Sequence, residues 1–192
     1  MIRSVRSGWL LLYIVLFLLS YGLGCINGAY IVGKWKGIKD IRTLGSANAG
    51  ARNAGRVLGK GAFVGTVMID ALKTVIPLLV AEYILKVNPI TLAGISLALI
   101  IGHIWPAHMQ FRGGKGVVVY LANALVMAPT ALIGTAVILV IGLVFKRSFT
   151  FAGFAGMLII PIYLLFHAEW LLAGLFFILL CIVTVAHGWG KN

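Results

Sequence analysis

Acidic residues are scarce in this chain, and charged residues of either sign are few. Aspartate and glutamate total 4 against 16 lysines and arginines, so only 10% of the residues are charged. A soluble domain carries roughly a quarter charged residues, so this composition excludes an ordinary soluble fold. Apolar residues make up 61% of the chain, in segments that recur from end to end. The sequence therefore predicts one all-α integral membrane domain, residues 1–192.

Several common catalytic and metal-binding patterns are also missing. The chain has no nucleophilic Ser or Cys in a glycine elbow, no pair of carboxylates and no His-x4-Asp sequence. Cys25 and Cys181 have no metal or redox spacing. His103 and His108 have no carboxylate partner in register, so neither a metal nor a cofactor is predicted. An enzyme with this composition would work mainly by positioning substrates and stabilising charge.

Seven apolar segments are candidates to cross a membrane. A straight crossing takes about 20 residues, and the fourth segment is the shortest. Most lysines and arginines fall in alternate connections, on the same side as the C-terminus. Because positive charge favours the cytoplasmic side, we expect the N-terminus outside and the C-terminus in the cytoplasm. The predicted spans are residues 9–32, 61–85, 90–106, 117–128, 130–145, 151–166 and 170–186.

The net charge of +12 would ordinarily suggest a nucleic-acid partner. Here the cations lie between apolar segments, as membrane topology requires, so no nucleic acid is predicted. Some cluster in one connection, which indicates membrane lipid or an anionic substrate as the partner. Asp70 and Lys73 lie three residues apart inside the second span. We expect them to form a structural ion pair that faces the bundle interior.

The most polar stretch is residues 45–56, inside a connection that we expect to be a loop over residues 33–60. It carries a hydroxyl, two amides and two guanidinium groups among small residues, namely Ser46, Asn48, Asn53, Arg52 and Arg56. Such groups bind phosphate or carboxylate oxygens. If the segment is helical, the two arginines, four residues apart, point the same way. A flexible connector is the alternative, but it needs no arginines at this spacing, so anion binding is favoured.

A second glycine-rich stretch places two cations beside three glycines: Arg112, Gly113, Gly114, Lys115 and Gly116. If Val117 begins a helix, backbone N–H groups at its positive end offer a site for phosphate. The stretch lacks the Walker A spacing, so nucleotide hydrolysis is not expected. A membrane-edge turn whose cations only set topology is an equally good interpretation of these residues. The predicted topology places both stretches and His187 on the cytoplasmic face.

Together these residues resemble the motifs of a known family. The stretches Gly45-Ser-Ala-Asn-Ala-Gly-Ala-Arg-Asn53 and Phe111-Arg-Gly-Gly-Lys-Gly-Val117 resemble those of the acyl-phosphate:glycerol-3-phosphate acyltransferase family. The resemblance runs along nearly the whole chain. It implies a seven-span bacterial inner-membrane enzyme with its active site at the cytoplasmic face. It further implies acyl transfer from acyl phosphate to the 1-hydroxyl of glycerol 3-phosphate, giving 1-acylglycerol 3-phosphate and inorganic phosphate.

The resemblance also implies which residues form the site. Catalytic roles fall on Lys115, Arg56, Ser46, Asn48 and His187. Substrate-binding roles fall on Asn53, Arg52, Arg112, Gly113, Gly114, Gly116 and Thr150. The general base is left open between His187 and a phosphate oxygen of the substrate.

The chain departs from the family pattern at several positions. Ala47 replaces a glycine of the first motif, and Arg52 replaces a threonine. Cys25 and Thr150 stand where serine is usual, and the third motif is shortened after His187. Two alternatives therefore stay open. One is an inactive paralogue, and the other is a non-enzymatic transporter or binder of a phosphate-bearing anion or lipid.

Overall fold

The computed structural model describes residues 2–188 of the chain, with side chains from residue 11 onward. Every regular element in that range is a helix, which confirms the all-α prediction for it. The α-helices are α1 Ile2–Cys25, α2 Gly28–Trp35, α3 Ala51–Leu58, α4 Lys60–Leu79, α5 Pro89–Ile104, α6 Val117–Met127, α7 Ala131–Val144, α8 Phe149–Phe166 and α9 Trp170–Gly188. Short 3-10 turns at Ile41–Thr43 and Ala107–Met109 and a π-helical turn at Val80–Ile84 complete the set.

Some of these helices are long and apolar enough to cross a membrane. Within residues 2–188 the four that qualify alone are Lys60–Ile84, Pro89–Met109, Phe149–Phe166 and Trp170–Gly188. A fifth candidate is the pair Leu11–Gly24 and Gly28–Trp35, which is bent by 41°. The predicted fourth and fifth spans correspond to α6 and α7, which are shorter apolar helices. Length and composition thus support four or five spans, and the seven-span topology stays a prediction.

The chain divides into two compact units, Met1–Val119 and Tyr120–Asn192. The first unit contains α1 to α5 and the connections that carry both glycine-rich motifs. The second contains α7 to α9, and α6 starts at the end of the first unit. The expected loop over residues 33–60 is not wholly irregular, because it includes α3.

In the first unit, α1 and α5 pack with their backbones close together. A Cβ atom added at Gly24 would collide with the carbonyl of Leu99, and one added at Gly102 would collide with the carbonyl of Tyr21. Small residues permit this approach between apolar helices, where packing rather than water exclusion drives association. The Tyr21 hydroxyl donates to the carbonyl of Trp105 at 2.9 Å, which fastens the end of α5 to α1.

In the second unit, α7 and α8 use the same kind of contact. A Cβ atom at Gly156 would lie 2.8 Å from the carbonyl oxygen of Thr135.

The hydroxyl of Tyr120, on α6, donates to the carbonyl of Met157 at 3.0 Å. Its ring packs edge-to-face on Phe176 with centroids 5.4 Å apart. The buried phenol of Tyr120 is thus both packed and hydrogen-bonded, as an apolar interior requires.

The predicted first span, residues 9–32, is interrupted, because α1 ends at Cys25 and α2 begins at Gly28. Asn27 is the N-cap of α2, and its side-chain oxygen accepts from the N–H of Tyr30 at 2.9 Å. Capping preferences favour asparagine at such a position. Because the whole stretch is apolar, its hydropathy predicts one continuous span. The polar side chain of Asn27 is the sequence feature that coincides with the break.

The ion pair of Asp70 and Lys73 holds the break between α1 and α2. The predicted pair is confirmed, with Nζ 2.9 Å from Oδ1 and both side chains buried. Lys73 donates to the carbonyls of Gly24, at 3.0 Å, and Ile26, so the cation meets the end of α1. Asp70 accepts from the N–H of Gly28 at 3.1 Å, so the anion meets the start of α2. Each charge therefore satisfies helix-end groups and complements the helix dipole.

Lys73→Met should destabilise the protein strongly. The substitution leaves the Asp70 carboxylate and the carbonyls at the end of α1 without their cation. Removing one partner of a buried pair typically costs about 3–5 kcal/mol. We expect a loss of that size in the free energy of unfolding, measured by denaturant titration in detergent micelles.

The matched control is the double variant Asp70→Asn with Lys73→Met. Because it removes both charges together, its loss should be smaller than the sum of the two single losses. A Lys73→Met protein as stable as the parent would show that the pair does not hold the break.

Candidate active site

The first glycine-rich motif is folded around the side chain of Asn53, which is 1% exposed. Its amide nitrogen donates to the carbonyls of Ile41 at 3.2 Å and Leu44 at 3.0 Å. Its amide oxygen accepts from the N–H of Ser46 at 2.7 Å and from the Ser46 hydroxyl at 3.1 Å. Both amide hydrogens and both lone-pair directions are thus used inside the loop. This geometry favours a positioning role for Asn53 over the substrate-binding role that the resemblance implies.

Ser46 and Asn48 lie on the outer side of the same loop. Ser46 is exposed and Asn48 is half-buried, whereas Ala49 between Asn48 and α3 is fully buried. The side chain of Asn27 donates to the carbonyl of Ala49 at 3.0 Å. Asn27 and Asn53 therefore hold the loop from beneath. The hydroxyl and amide predicted to be catalytic remain on its surface.

Helix α3 carries Arg52 and Arg56. The segment is helical, so the two arginines lie about one turn apart on one face. Both are exposed, and Asn53 between them points into the unit. The helix ends at Gly59, whose φ of 88° lies in the left-handed region. That conformation favours glycine and turns the chain directly into α4.

Ala47 occupies a left-handed backbone conformation between the two catalytic candidates of the first motif. Its φ is 56°, which is unfavourable for any residue with a Cβ atom. Ala47 also stands where the family pattern has glycine. A left-handed conformation accounts for a preference for glycine at this position. In this chain the alanine adopts that conformation.

The second glycine-rich motif runs along the end of α5. The N–H of Gly113 donates to the carbonyl of Ile104 at 2.9 Å, and the N–H of Gly114 donates to that of His103 at 3.1 Å. A Cβ atom at Gly114 would collide with the imidazole of His103, so a glycine is needed there. The expectation that this motif exposes successive N–H groups to a phosphate is wrong for these two residues.

The rest of the second motif agrees better with the prediction. Gly116 has a φ of 83°, and α6 begins at Val117, so the motif ends at a helix N-terminus. Arg112 is exposed and Lys115 is half-buried. If this motif binds an anion as predicted, the groups available are its side-chain cations and the start of α6, rather than the N–H groups of Gly113 and Gly114.

His103 connects the second motif to the buried ion pair. Its Nδ1 lies 2.9 Å from Nζ of Lys73 and 3.6 Å from Oδ1 of Asp70. Because an ammonium group only donates, Nδ1 accepts, and the proton of the neutral ring is on Nε2, the atom that faces Gly114. The expectation that His103 has no carboxylate partner is wrong. Asp70 lies on another helix, so the spacing along the chain gave no sign of it.

Arg42 joins the connections that carry the two motifs. Nothing in the sequence distinguishes it from the other cations of its connection. Its guanidinium donates to the carbonyl of Met109 at 2.6 Å and to that of Arg112 at 3.2 Å. It also binds the carboxylate of Asp40, with its nearest nitrogen at 2.7 Å. These hydrogen bonds lower the pKa of Asp40, against a smaller opposing effect of burial, and raise the pKa of Arg42. Arg42 is thus a fixed cross-link between the two loops.

The remaining predicted residues belong to the second unit. Nδ1 of His187 lies 3.0 Å from the carbonyl oxygen of Val183. A carbonyl only accepts, so Nδ1 carries the proton of the neutral ring and Nε2 carries the lone pair that a base needs. The His187 ring packs edge-to-face on Phe154, with centroids 4.9 Å apart. Thr150 is exposed in the first turn of α8.

The first unit thus brings both motifs together. Arg42, Asn27 and the contact of Gly114 with His103 fasten them to one another and to the break between α1 and α2. Four exposed or half-buried cations occupy predicted catalytic or binding positions: Arg52, Arg56, Arg112 and Lys115. Across residues 2–188, no three His, Cys, Asp or Glu side chains form a group that could hold a metal ion. These cationic side chains are of the type that binds phosphate or carboxylate oxygens.

Comparison with known sequences points to one family. A family profile described as Glycerol-3-phosphate acyltransferase matches residues 14–189. The glycerol-3-phosphate acyltransferase of Rubrobacter xylanophilus is 41% identical over 119 residues, which cover 62% of this chain and 59% of that protein. Glycerol-3-phosphate acyltransferase 1 of Bacillus cereus is 44% identical over 106 residues, which cover 55% of this chain and 56% of that protein. The chain thus matches less than two thirds of the length of these relatives.

Comparison with solved structures gives a wider match. The crystal structure of PlsY (YgiH), an integral membrane glycerol 3-phosphate acyltransferase, in its glycerol 3-phosphate form aligns with a TM-score of 0.83 at 27% identity. That alignment covers 91% of this chain and 88% of the other. Its lysophosphatidic acid form aligns with a TM-score of 0.80 at 26% identity, over 91% and 87% of the two chains.

Ala47→Gly should stabilise the protein. Glycine adopts the left-handed conformation without the Cβ penalty, so we expect a gain of about 1 kcal/mol in the free energy of unfolding. Ala49→Gly is the matched control, because Ala49 is buried and does not have a positive φ. That variant should lose stability. An unchanged or lower stability of Ala47→Gly would contradict the assigned backbone conformation.

The link between Asp40 and Arg42 should make stability depend on pH. Because the pKa of Asp40 is lowered in the folded protein, its carboxylate stabilises the fold above the unfolded value of about 4. That contribution is lost as the pH falls through the folded pKa. The difference in melting temperature between the parent and Asp40→Asn should therefore be present at pH 7 and shrink below about pH 4. A difference that stays constant into acid would argue against this pair.

Proposed function

Because the chain belongs to the glycerol-3-phosphate acyltransferase family, we propose that it transfers a fatty acyl group to glycerol 3-phosphate. The acyl donor in this proposal is acyl phosphate. The products are 1-acylglycerol 3-phosphate and inorganic phosphate, and the reaction belongs to phospholipid synthesis. No cofactor takes part. The relatives named above support the class of reaction, and acyl phosphate as the donor is what the resemblance of the two motifs to the family implies.

One observation carries the proposal: the two glycine-rich loops are fastened together and present cations on their surface. Arg42 holds the second loop through the carbonyls of Met109 and Arg112. The loops lie at the ends of apolar helices, where a lipid donor and a water-soluble acceptor can meet. Both proposed substrates carry phosphate. A site with several cations and few carboxylates suits a reaction between two anions.

In the proposed reaction, the 1-hydroxyl oxygen of glycerol 3-phosphate attacks the carbonyl carbon of the acyl phosphate. The carbon–oxygen bond to phosphate breaks, and inorganic phosphate leaves with the bonding electrons. Arg56, Arg112 and Lys115 bind phosphate groups and stabilise the charge that develops on the leaving group. Ser46 and Asn48 orient the acceptor and the carbonyl, and Asn53 holds Ser46 in place.

The proton of the attacking hydroxyl needs an acceptor. Two candidates remain from the sequence, namely His187 and a phosphate oxygen of the substrate. The hydrogen bond from Nδ1 of His187 to Val183 supports the first, because it leaves the lone pair on Nε2. Both candidates are compatible with the products.

The chain is a multi-pass membrane protein, as its apolar helices and its structural neighbours indicate. We further propose seven spans, with the N-terminus outside and the C-terminus in the cytoplasm of a bacterial cell. The support is the concentration of lysines and arginines in alternate connections. The membrane is then the inner membrane, and the active site faces the cytoplasm.

The transporter alternative would need charged groups that line a path through the membrane. Asp70 and Lys73, the charged groups deep in the second predicted span, do not serve as such a path. Both are engaged with helix ends, since Lys73 binds carbonyls of α1 and Asp70 binds an N–H of α2. The pair therefore has a structural task that accounts for its burial. Acyl transfer is the function that the site supports best.

Lys115→Ala should abolish acyl transfer without unfolding the protein. The expected result is loss of lysophosphatidate and phosphate formation from palmitoyl phosphate and glycerol 3-phosphate in proteoliposomes. The reason is the loss of a cation from the charge-stabilising set. Product formation is followed by mass spectrometry and phosphate release by a colorimetric assay.

The matched control is Lys39→Ala, which removes an exposed lysine from the first connection outside both motifs. It should keep parental activity. Full activity of Lys115→Ala would exclude the role of this lysine. Uptake of glycerol 3-phosphate by the parent without consumption of acyl phosphate would favour a transporter instead.

A further inference from the structure

A second cationic surface lies in the groove between α3 and α4. Arg52, Gly55, Lys60, Phe63 and Val64 line this groove, which has a volume of about 430 Å³. We propose that it binds the headgroup of an anionic phospholipid from the surrounding bilayer. The proposal concerns a lipid that the reaction does not consume, and it assigns Arg52 to that lipid instead of to the substrate-binding role that the family resemblance implies.

The groove exists because α3 and α4 meet closely at one point and then diverge. Gly59, with a φ of 88°, turns the chain from one helix into the next. A Cβ atom at Gly55 would lie 2.9 Å from Cβ of Phe63, so the helices are in contact there. Arg52 from α3 and Lys60 from α4 both line the groove. The tight turn between α3 and α4 thus brings two cations to one groove.

The electrostatics of the groove favour an anion. Its lining includes two cations and no carboxylate. A basic residue near an anionic membrane surface contributes about 1 kcal/mol to lipid attraction. Two of them at one cleft therefore discriminate against a zwitterionic headgroup.

The apolar continuation of the groove distinguishes a lipid from a small phosphate. Phe63 and Val64 line its floor and are 41% and 56% exposed. Met68 and Leu72 follow Val64 at intervals of four residues and are 51% and 46% exposed. They form one apolar stripe along α4, a helix long enough to cross a membrane. A phospholipid can use both the cations and the stripe, whereas glycerol 3-phosphate can use only the cations.

Arg52 supplies the cation that α3 contributes to the groove. The family motif has a threonine at that position, and a threonine would leave the groove with Lys60 as its cation. The departure from the motif and the cationic groove are therefore the same feature. Arg56, Arg112 and Lys115 do not line the groove, so their proposed catalytic roles are separate from it.

The test is native mass spectrometry of the purified protein in detergent micelles that contain equal amounts of phosphatidylglycerol and phosphatidylcholine. We expect retained adducts of phosphatidylglycerol in preference to phosphatidylcholine. At about 1 kcal/mol for each cation, Arg52→Thr and Lys60→Ala should each weaken phosphatidylglycerol binding roughly fivefold, and together roughly thirtyfold. No substrate is present, so the result does not depend on acyl transfer.

The matched control is Lys36→Ala with Lys39→Ala, which removes two exposed cations of the same connection outside the groove. This variant should bind as the parent does. If the double groove variant does not fold, Lys60→Gln alone tests the proposal in the same way. Equal binding of the two lipids, or equal losses in the groove and control variants, would overturn it. So would displacement of the lipid by millimolar glycerol 3-phosphate, which would make the groove a substrate subsite.

Discussion

The ion pair between Asp70 and Lys73 is the interaction on which the rest of the first unit depends. A helix that stops within an apolar segment leaves carbonyl and N–H groups that lipid cannot satisfy. Lys73 takes the carbonyls of α1, and Asp70 takes an N–H of α2. The break then lets Asn27 reach the carbonyl of Ala49 beneath the first motif. A buried charge pair thereby fixes the position of a polar loop at some distance from it.

The same pair also reaches the second motif, through His103. Its Nδ1 accepts from Lys73, and Gly114 packs on the opposite side of the imidazole. Arg42 adds a cross-link from the outside, between its own loop and the carbonyl of Met109. Two motifs that are far apart in the chain thus share one support. That arrangement suits a catalyst whose main task is to hold two phosphate-bearing molecules at fixed positions.

Local periodicity predicted the features that depend on neighbours in the chain. The spacing of Asp70 and Lys73, the helical relation of Arg52 to Arg56 and the helix that starts at Val117 all follow from such spacing. The break at Asn27, the carboxylate beside His103 and the clamp by Arg42 did not. Each of these depends on contacts between residues distant in sequence, and no periodic pattern reports such contacts. The ion pair was therefore predictable, whereas the contacts that join it and Arg42 to the two motifs were not.

The hydrogen bonds of Gly113 and Gly114 to α5 have a consequence for how a phosphate is handled. A cradle of backbone N–H groups would grip each phosphate oxygen in one rigid geometry. Here those groups are hydrogen-bonded to α5, so in the proposed reaction the long cationic side chains make the contact with phosphate. Such side chains can follow a phosphate as it separates from an acyl group and departs. In the proposed reaction the loop backbone therefore stays fixed on α5, and the arginine and lysine side chains adjust to the phosphate.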